Sequence, residues 1–225
     1  MPVFIYTMKI LSLIFIFAIA STIHAQLLKV DYELERHRSF EDSFSEEFKE
    51  KIREQEKKPE KYTLYYADGD SFFKSLPVPI VRHENAPVTI GDNTIVQVEM
   101  AIIAPVKVYR KKGDINYYHY FEESGEKYYK ISNLKMESVD YKDETQMIDK
   151  FLCKLVEITN ARGERIKIWY AEDMPISTGP FMYGGFPGLI LKLEAPTFVI
   201  YATKISDDLK KDDVEKMDSK LPIKK

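Results

Sequence analysis

Residues 172–194 read EDMPISTGPFMYGGFPGLILKLE, and no other stretch constrains the fold of this chain as tightly. Four of the nine glycines (Gly179, Gly184, Gly185, Gly188) and three of the eleven prolines (Pro175, Pro180, Pro187) fall here. Glycine serves backbone at positive φ or in close approach, while proline fixes φ and removes a donor. Interleaved with Phe181, Tyr183 and Phe186, they predict a loop with a specified path rather than a flexible linker. The loop runs into the apolar alternation Leu189, Leu191, Leu193, the pattern of a buried strand face. At least one of its glycines is expected at positive φ. The Phe186-Pro187 bond is a candidate for the cis form, with trans favoured on base rates.

Gly185-Phe186-Pro187-Gly188-Leu189-Ile190, with Trp169-Tyr170, Pro175-Ile176 and Gly179-Pro180 before it, resembles the signature of the GLPGLI family, small exported proteins of Gram-negative bacteria. Phe186 stands where that family usually has leucine; both are large and apolar, so the loop is expected to keep its shape. The resemblance extends more weakly to residues 64–73 and to Cys153 with its neighbours. It implies export and carries no activity, because glycine and proline do no chemistry themselves. The signature is expected to be an architectural corner closing one end of a sheet. Its residues Trp169, Pro175, Gly179, Pro180, Gly184, Gly185, Phe186, Pro187 and Gly188 are also a possible binding surface.

The N-terminus reads as a processing segment. Lys9 precedes the apolar run of residues 10–20, and small residues lead to Ala25, which is the layout of a secretory signal peptide. Cleavage after Ala25 would leave Gln26 first; translation could start at Met1 or Met8. The run is short for a membrane helix. Its removal leaves a net charge of about −4, with no electrostatic footprint for nucleic acid. Cys153 is the single cysteine, so no internal disulfide can form. Residues 26–205 are expected to form one domain without a transmembrane span, and the Asp- and Lys-rich residues 206–225 a mobile tail.

Within the domain, Leu28, Val30, Tyr32 and Leu34 alternate with charged residues as in a half-buried strand. Residues 43–58 form the one helix candidate, with Ser43 and Glu46 as a capping box, Phe44, Phe48 and Ile52 on one stripe, and Pro59 as the stop. Beyond it, short aromatic-rich segments are separated by turn signals at Asp68-Gly69, Lys112-Gly113, Ser124-Gly125 and Arg162-Gly163. This cadence predicts a mainly β (α+β) fold: an antiparallel meander, either curled into a half-barrel or packed as a two-layer sandwich, with the helix on it.

Few residues of the chain point to chemistry. His24, His37, His83 and His119 lack metal-ligand spacing, and no nucleotide or nucleophile motif is present, so no metal, cofactor or catalytic residue is assigned. Cys153 is expected to be a buried core thiol. Trp169 either packs under the signature loop or faces a functional surface; the loop begins so soon after it that packing explains more. The leading functional reading is a non-enzymatic periplasmic or outer-membrane-associated protein that binds an envelope lipid, peptide or protein partner. A hydrolase using Glu172 or Asp173, and a purely structural envelope subunit, are the alternatives.

Overall fold

The alternation in the first strand sets the geometry of the rest: Leu28, Val30, Tyr32 and Leu34 are all buried on one side of β1 (Leu27–Arg36). The computed structural model describes residues 27–37, 45–77, 81–84, 88–90, 93–95, 98–101, 105–210 and 213–224. The proposed signal segment, with His24, and the proposed cap Ser43 and Phe44 lie outside the described residues. The helix α1 (Glu46–Glu56) is capped instead by Ser45, whose side chain accepts from the Phe48 amide at 3.2 Å. Ser45 stands three residues before Phe48, the reach from a capping side chain to an N3 amide. Phe48 and Ile52 are buried, Lys51 pairs with Glu47 at 3.5 Å, and the helix packs beside β4 (Val81–Glu84).

After the helix come β2 (Glu60–Ala67) and β3 (Asp70–Ser75), joined at Asp68-Gly69, where both residues take positive φ as a tight hairpin requires. Two small antiparallel ribbons follow, β4 with β7 (Val98–Ala101) and β5 (Val88–Ile90) with β6 (Asn93–Ile95). The chain then returns to the main sheet as β8 (Lys107–Arg110), β9 (Tyr117–Glu123) and β10 (Glu126–Ser132). A second meander runs through β11 (Met136–Ile148), β12 (Phe151–Asn160), β13 (Arg165–Ala171), β14 (Leu189–Ala195) and β15 (Phe198–Ser206). A two-residue strand, β16 (Ile223–Lys224), ends it.

The two meanders join because β1 pairs antiparallel with both β2 and β15. The result is one open, curled twelve-stranded sheet ordered β11-β12-β13-β14-β15-β1-β2-β3-β8-β9-β10-β16, with every pair antiparallel except β10 with β16. The protein is therefore mostly β with one helix among the described residues, and the sandwich alternative falls. One register row shows how the core is made: Val156, Ile168, Leu193, Ile200 and Leu34 lie side by side across five strands, all essentially buried. Burying side chains of this size contributes about 1.5–3 kcal/mol each.

On the opposite face, Phe72, Tyr109, Tyr118 and Tyr129 form a second cluster across β3, β8, β9 and β10. The segment after Ser206, which composition marks as a mobile end, lies over this cluster. Val214 is buried there, with Leu209, Met217 and Leu221 packed beside it. The Asp218 amide donates to Tyr129 Oη at 3.0 Å, and the Tyr129 amide donates to the Pro222 carbonyl at 2.9 Å. Four apolar residues at irregular spacing give no periodic signal; a row of outward tyrosines is what makes them useful.

Glu215 ties this segment down, accepting from Lys107 Nζ at 2.8 Å and Tyr109 Oη at 2.6 Å. Burial alone would raise its pKa, but the bonds from Lys107 and Tyr109 outweigh burial and hold it below the ordinary 4.5. A folded value below the unfolded one means the contact stabilises above that ordinary value and is lost as pH falls through the folded one. The protection of the Asp218 amide against exchange, relative to its intrinsic rate at each pH, is therefore expected to fall on acidification below pH 4.5. Glu215→Gln should lower that protection already at neutral pH and flatten its profile; protection that ignores pH in the wild type would refute the tether.

Candidate functional site

Between β13 and β14 the glycine- and proline-rich loop folds inward over the apolar face and fills the curl of the sheet. Ile176, Thr178, Pro180, Tyr183 and Phe186 are buried, while Pro175, Gly185 and Pro187 face solvent. Phe181 reaches furthest. Its ring meets Tyr62, Phe73 and Phe198 edge-on at 5.4, 4.9 and 5.8 Å. To do so it takes φ +55, a conformation that costs a β-carbon-bearing residue about 1–2 kcal/mol. The aromatic contacts offset that.

Polar groups fix the loop from both sides. The Leu189 and Ile190 amides donate back to the Met174 and Thr178 carbonyls, each at 3.0 Å. Thr178 Oγ1 donates to Ser71 Oγ at 3.3 Å, and Arg110 Nη1 donates to the Ser177 carbonyl at 2.6 Å. A bulge leaves Leu191 outside the ladder between β13 and β14, and the neighbouring Ile190 carbonyl accepts from Tyr32 Oη at 2.6 Å. Gly179 lies against Ile190, and Gly184 against Tyr117 Oη and the Ser177 carbonyl.

Gly185 is the loop glycine at positive φ, +88, with open space around it. Gly188 is constrained differently: an added Cβ would overlap the Ala171 carbonyl oxygen and lie 2.5 Å from its carbon. The Phe186-Pro187 bond is trans. Phe186 stacks on Tyr170 at 6.5 Å, so the ring it covers is the neighbour of Trp169. Trp169, buried in the sheet, donates its indole N–H to Glu194 Oε1 at 3.1 Å.

The other sequence candidates are scattered. Glu172 is exposed and paired with Lys154 at 2.6 Å, and Asp173 is exposed beside it. Neither sits in the dry pocket that a raised carboxylate pKa requires. Cys153 is buried, and burial pushes its thiol up to about 11. Its labelling by a thiol reagent at neutral pH is expected to be slow in the folded protein and fast after unfolding; rapid stoichiometric labelling of the native chain would contradict this. His119 is half-buried on β9, and burial lowers its pKa. His83 falls in β4, in the separate two-stranded ribbon with β7. Among the described residues no cluster of His, Cys, Asp or Glu could hold a metal ion, and no helix is long and apolar enough to cross a membrane.

Sequence reasoning missed the most exposed element. β11 is the outer strand of the sheet, its thirteen residues paired on one side only among the described residues. All but Lys142 and Ile148 are exposed. By register, Val139 and Tyr141 continue the face of Ile158 and Val156, and Met147 lies opposite Leu152 on that same face. Tyr141 is 54% exposed and Met147 58%, so the buried row runs out to the edge uncovered. Tyr141 also meets Tyr170 edge-on at 6.3 Å, which links the edge to the loop through Phe186. The available signal was the spacing of Val139, Tyr141, Thr145 and Met147, hidden among five charged residues.

The ladder between β11 and β12 breaks between Tyr141 and Thr145, pushing Lys142, Asp143 and Glu144 out as a bulge. Lys142 pairs with Asp140 and, at 3.7 Å, with Glu157. A bulge and edge charges are the ordinary devices against unwanted strand addition. An unpaired strand with large apolar side chains is also what strand-adding partners recognise.

None of the curated proteins matches this chain. Two solved structures share its fold, those titled PNGF-II in a P21 and a C2 crystal form. They are 14% and 15% identical, with TM-scores of 0.53 and 0.52, over 84% and 88% of this chain. The chain spans only 30% of the length of either, and likeness at this identity concerns the fold alone. Residues 109–192, from β8 into β14 and including the whole signature loop, match the family model described as a protein of unknown function, Porph_ging, and this is the family to which that part of the chain is similar.

Proposed function

We propose that this protein is an exported, non-catalytic binding module of the cell envelope, and that the open β11 edge receives a polypeptide partner. The observation that carries the reading is the long, exposed outer strand with uncovered Val139, Tyr141 and Met147. The signal-like residues 1–25 and the GLPGLI resemblance support export. The signature loop serves as the plug that holds the curl, consistent with its buried rings and internal bonds, and so keeps the edge rigid for recognition. The exposed Glu172–Lys154 pair gives the hydrolase alternative no support.

A photo-crosslinking residue in place of Tyr141 or Met147, in cells that export the protein, tests this. One discrete polypeptide adduct is expected from both positions and none from Ile115, which is more exposed but lies on a loop. Equal adducts from all three sites, or none from β11, would overturn the edge. N-terminal sequencing of the envelope fraction should show a start at or near Gln26; a product retaining residues 10–20 would overturn the export reading.

A further inference from the structure

We infer that the strand accepted by β11 is cationic: an extended segment in which basic residues alternate with apolar ones. This rests on the reading of β11 as the binding edge and adds the chemistry of the partner. β11 carries Glu137, Asp140, Asp143 and Glu144 against Lys142 alone. Lys142 is engaged by Asp140 and Glu157, and Glu137, Asp143 and Glu144 have no ion-pair partner among the described residues.

The two faces of the edge differ. On one, Val139 and Tyr141 extend the apolar row; on the other, Asp140 lies opposite Glu157 in the ladder with β12. Side chains of a strand alternate between faces, so a strand added beside residues 138–141 sets every second side chain against Val139 and Tyr141. The intervening ones lie on the side of Asp140, and the bulge carboxylates follow next along the strand. Apolar side chains suit the first set, and lysine or arginine the second.

A second copy of this chain is a poor occupant. Two β11 strands related by a twofold axis would pair antiparallel and bring together two segments that each carry four acids against one lysine, and like charges near one another destabilise a ladder. The same carboxylates that discourage self-pairing thus select a basic partner.

The test uses the mature protein and ten-residue capped peptides, followed by fluorescence anisotropy. Alternating valine and lysine is expected to bind at least about tenfold more tightly than alternating valine and glutamate, and to weaken as salt rises. Asp143→Lys with Glu144→Lys should cancel that preference, since both residues project from the bulge and leave the ladder intact. N-methylation of alternate residues in the valine–lysine peptide should abolish binding, because a strand cannot pair without those amides; unchanged binding would refute strand addition. Equal affinity for the two charge patterns, or a β11-dependent dimer in sedimentation, would overturn the inference. Partner adducts at Tyr141 surviving those results would leave the edge reading standing and show that only its charge chemistry failed.

Discussion

Gly188→Ala is expected to destabilise the protein by about 3 kcal/mol or more, the largest effect among the loop glycines. The added methyl meets the Ala171 carbonyl oxygen and carbon and stands 3.0 Å from the Glu172 amide. All three are backbone atoms at the point where β13 turns into the loop, and no rotamer change relieves them. Making room would separate Ala171 from Leu189, the pair that opens the β13–β14 ladder. Gly185→Ala should cost only about 1 kcal/mol, because its φ of +88 disfavours a side chain while the surrounding space is open. Denaturant unfolding of both variants, beside the peptide-binding assay, separates the roles. Loss of stability with peptide affinity unchanged in the molecules that remain folded supports the plug. A Gly188→Ala protein of native stability that no longer binds would make the loop itself the binding surface.

Glu60→Ala is expected to cost about 2–3 kcal/mol. Glu60 is buried at the start of β2 and accepts three hydrogen bonds: two from the Arg36 guanidinium, one of them at 3.1 Å, and one from Tyr62 Oη at 2.7 Å. Alanine leaves a half-buried guanidinium and a buried phenol without their acceptor, and burying a group unpaired costs more than its hydrogen bond contributes. Because the Arg36 side chain is partly solvent-exposed, the loss should stay below that of a fully buried pair. Replacing Arg36 and Glu60 together by methionine and leucine is expected to recover much of it. The measurement is a double-mutant cycle by urea unfolding, and a Glu60→Ala loss under about 0.5 kcal/mol would show that the pair is idle.

The strands with strong alternation were legible from residues alone. Leu28 through Leu34 and the hairpins turning at Asp68-Gly69 and Ser124-Gly125 appear where period and turn chemistry place them, since these signals are local. The helix start was displaced to Ser45, because Ser45 is as good an N-cap residue type as Ser43 although Phe48, not an acid, stands three residues after it. β11 was missed for the opposite reason. Its conformation is imposed by pairing with β12, and the spacing of Val139, Tyr141, Thr145 and Met147 is obscured by the charges and the bulge between them. The C-terminal segment was read by composition as mobile, and composition carries no information about a tyrosine-rich face that β3, β8, β9 and β10 assemble elsewhere in the chain.

The signature loop divides the same way. That it follows one path is written in Gly185, which needs positive φ, and in prolines that remove alternatives. That Gly188 needs no positive φ but tolerates no Cβ, that Phe181 takes a strained φ to reach Tyr62 and Phe73, and that Phe186 covers Tyr170 rather than Trp169 all depend on residues brought near by the curl. Sequence by itself determined the strand class, the turns and the stiffness of the loop, because backbone preference and alternation act over a few residues. Tertiary structure alone decided which edge stays open, which face the tail covers and what the loop fills, because those outcomes depend on which strands, distant in the chain, become neighbours when β1 joins β2 to β15.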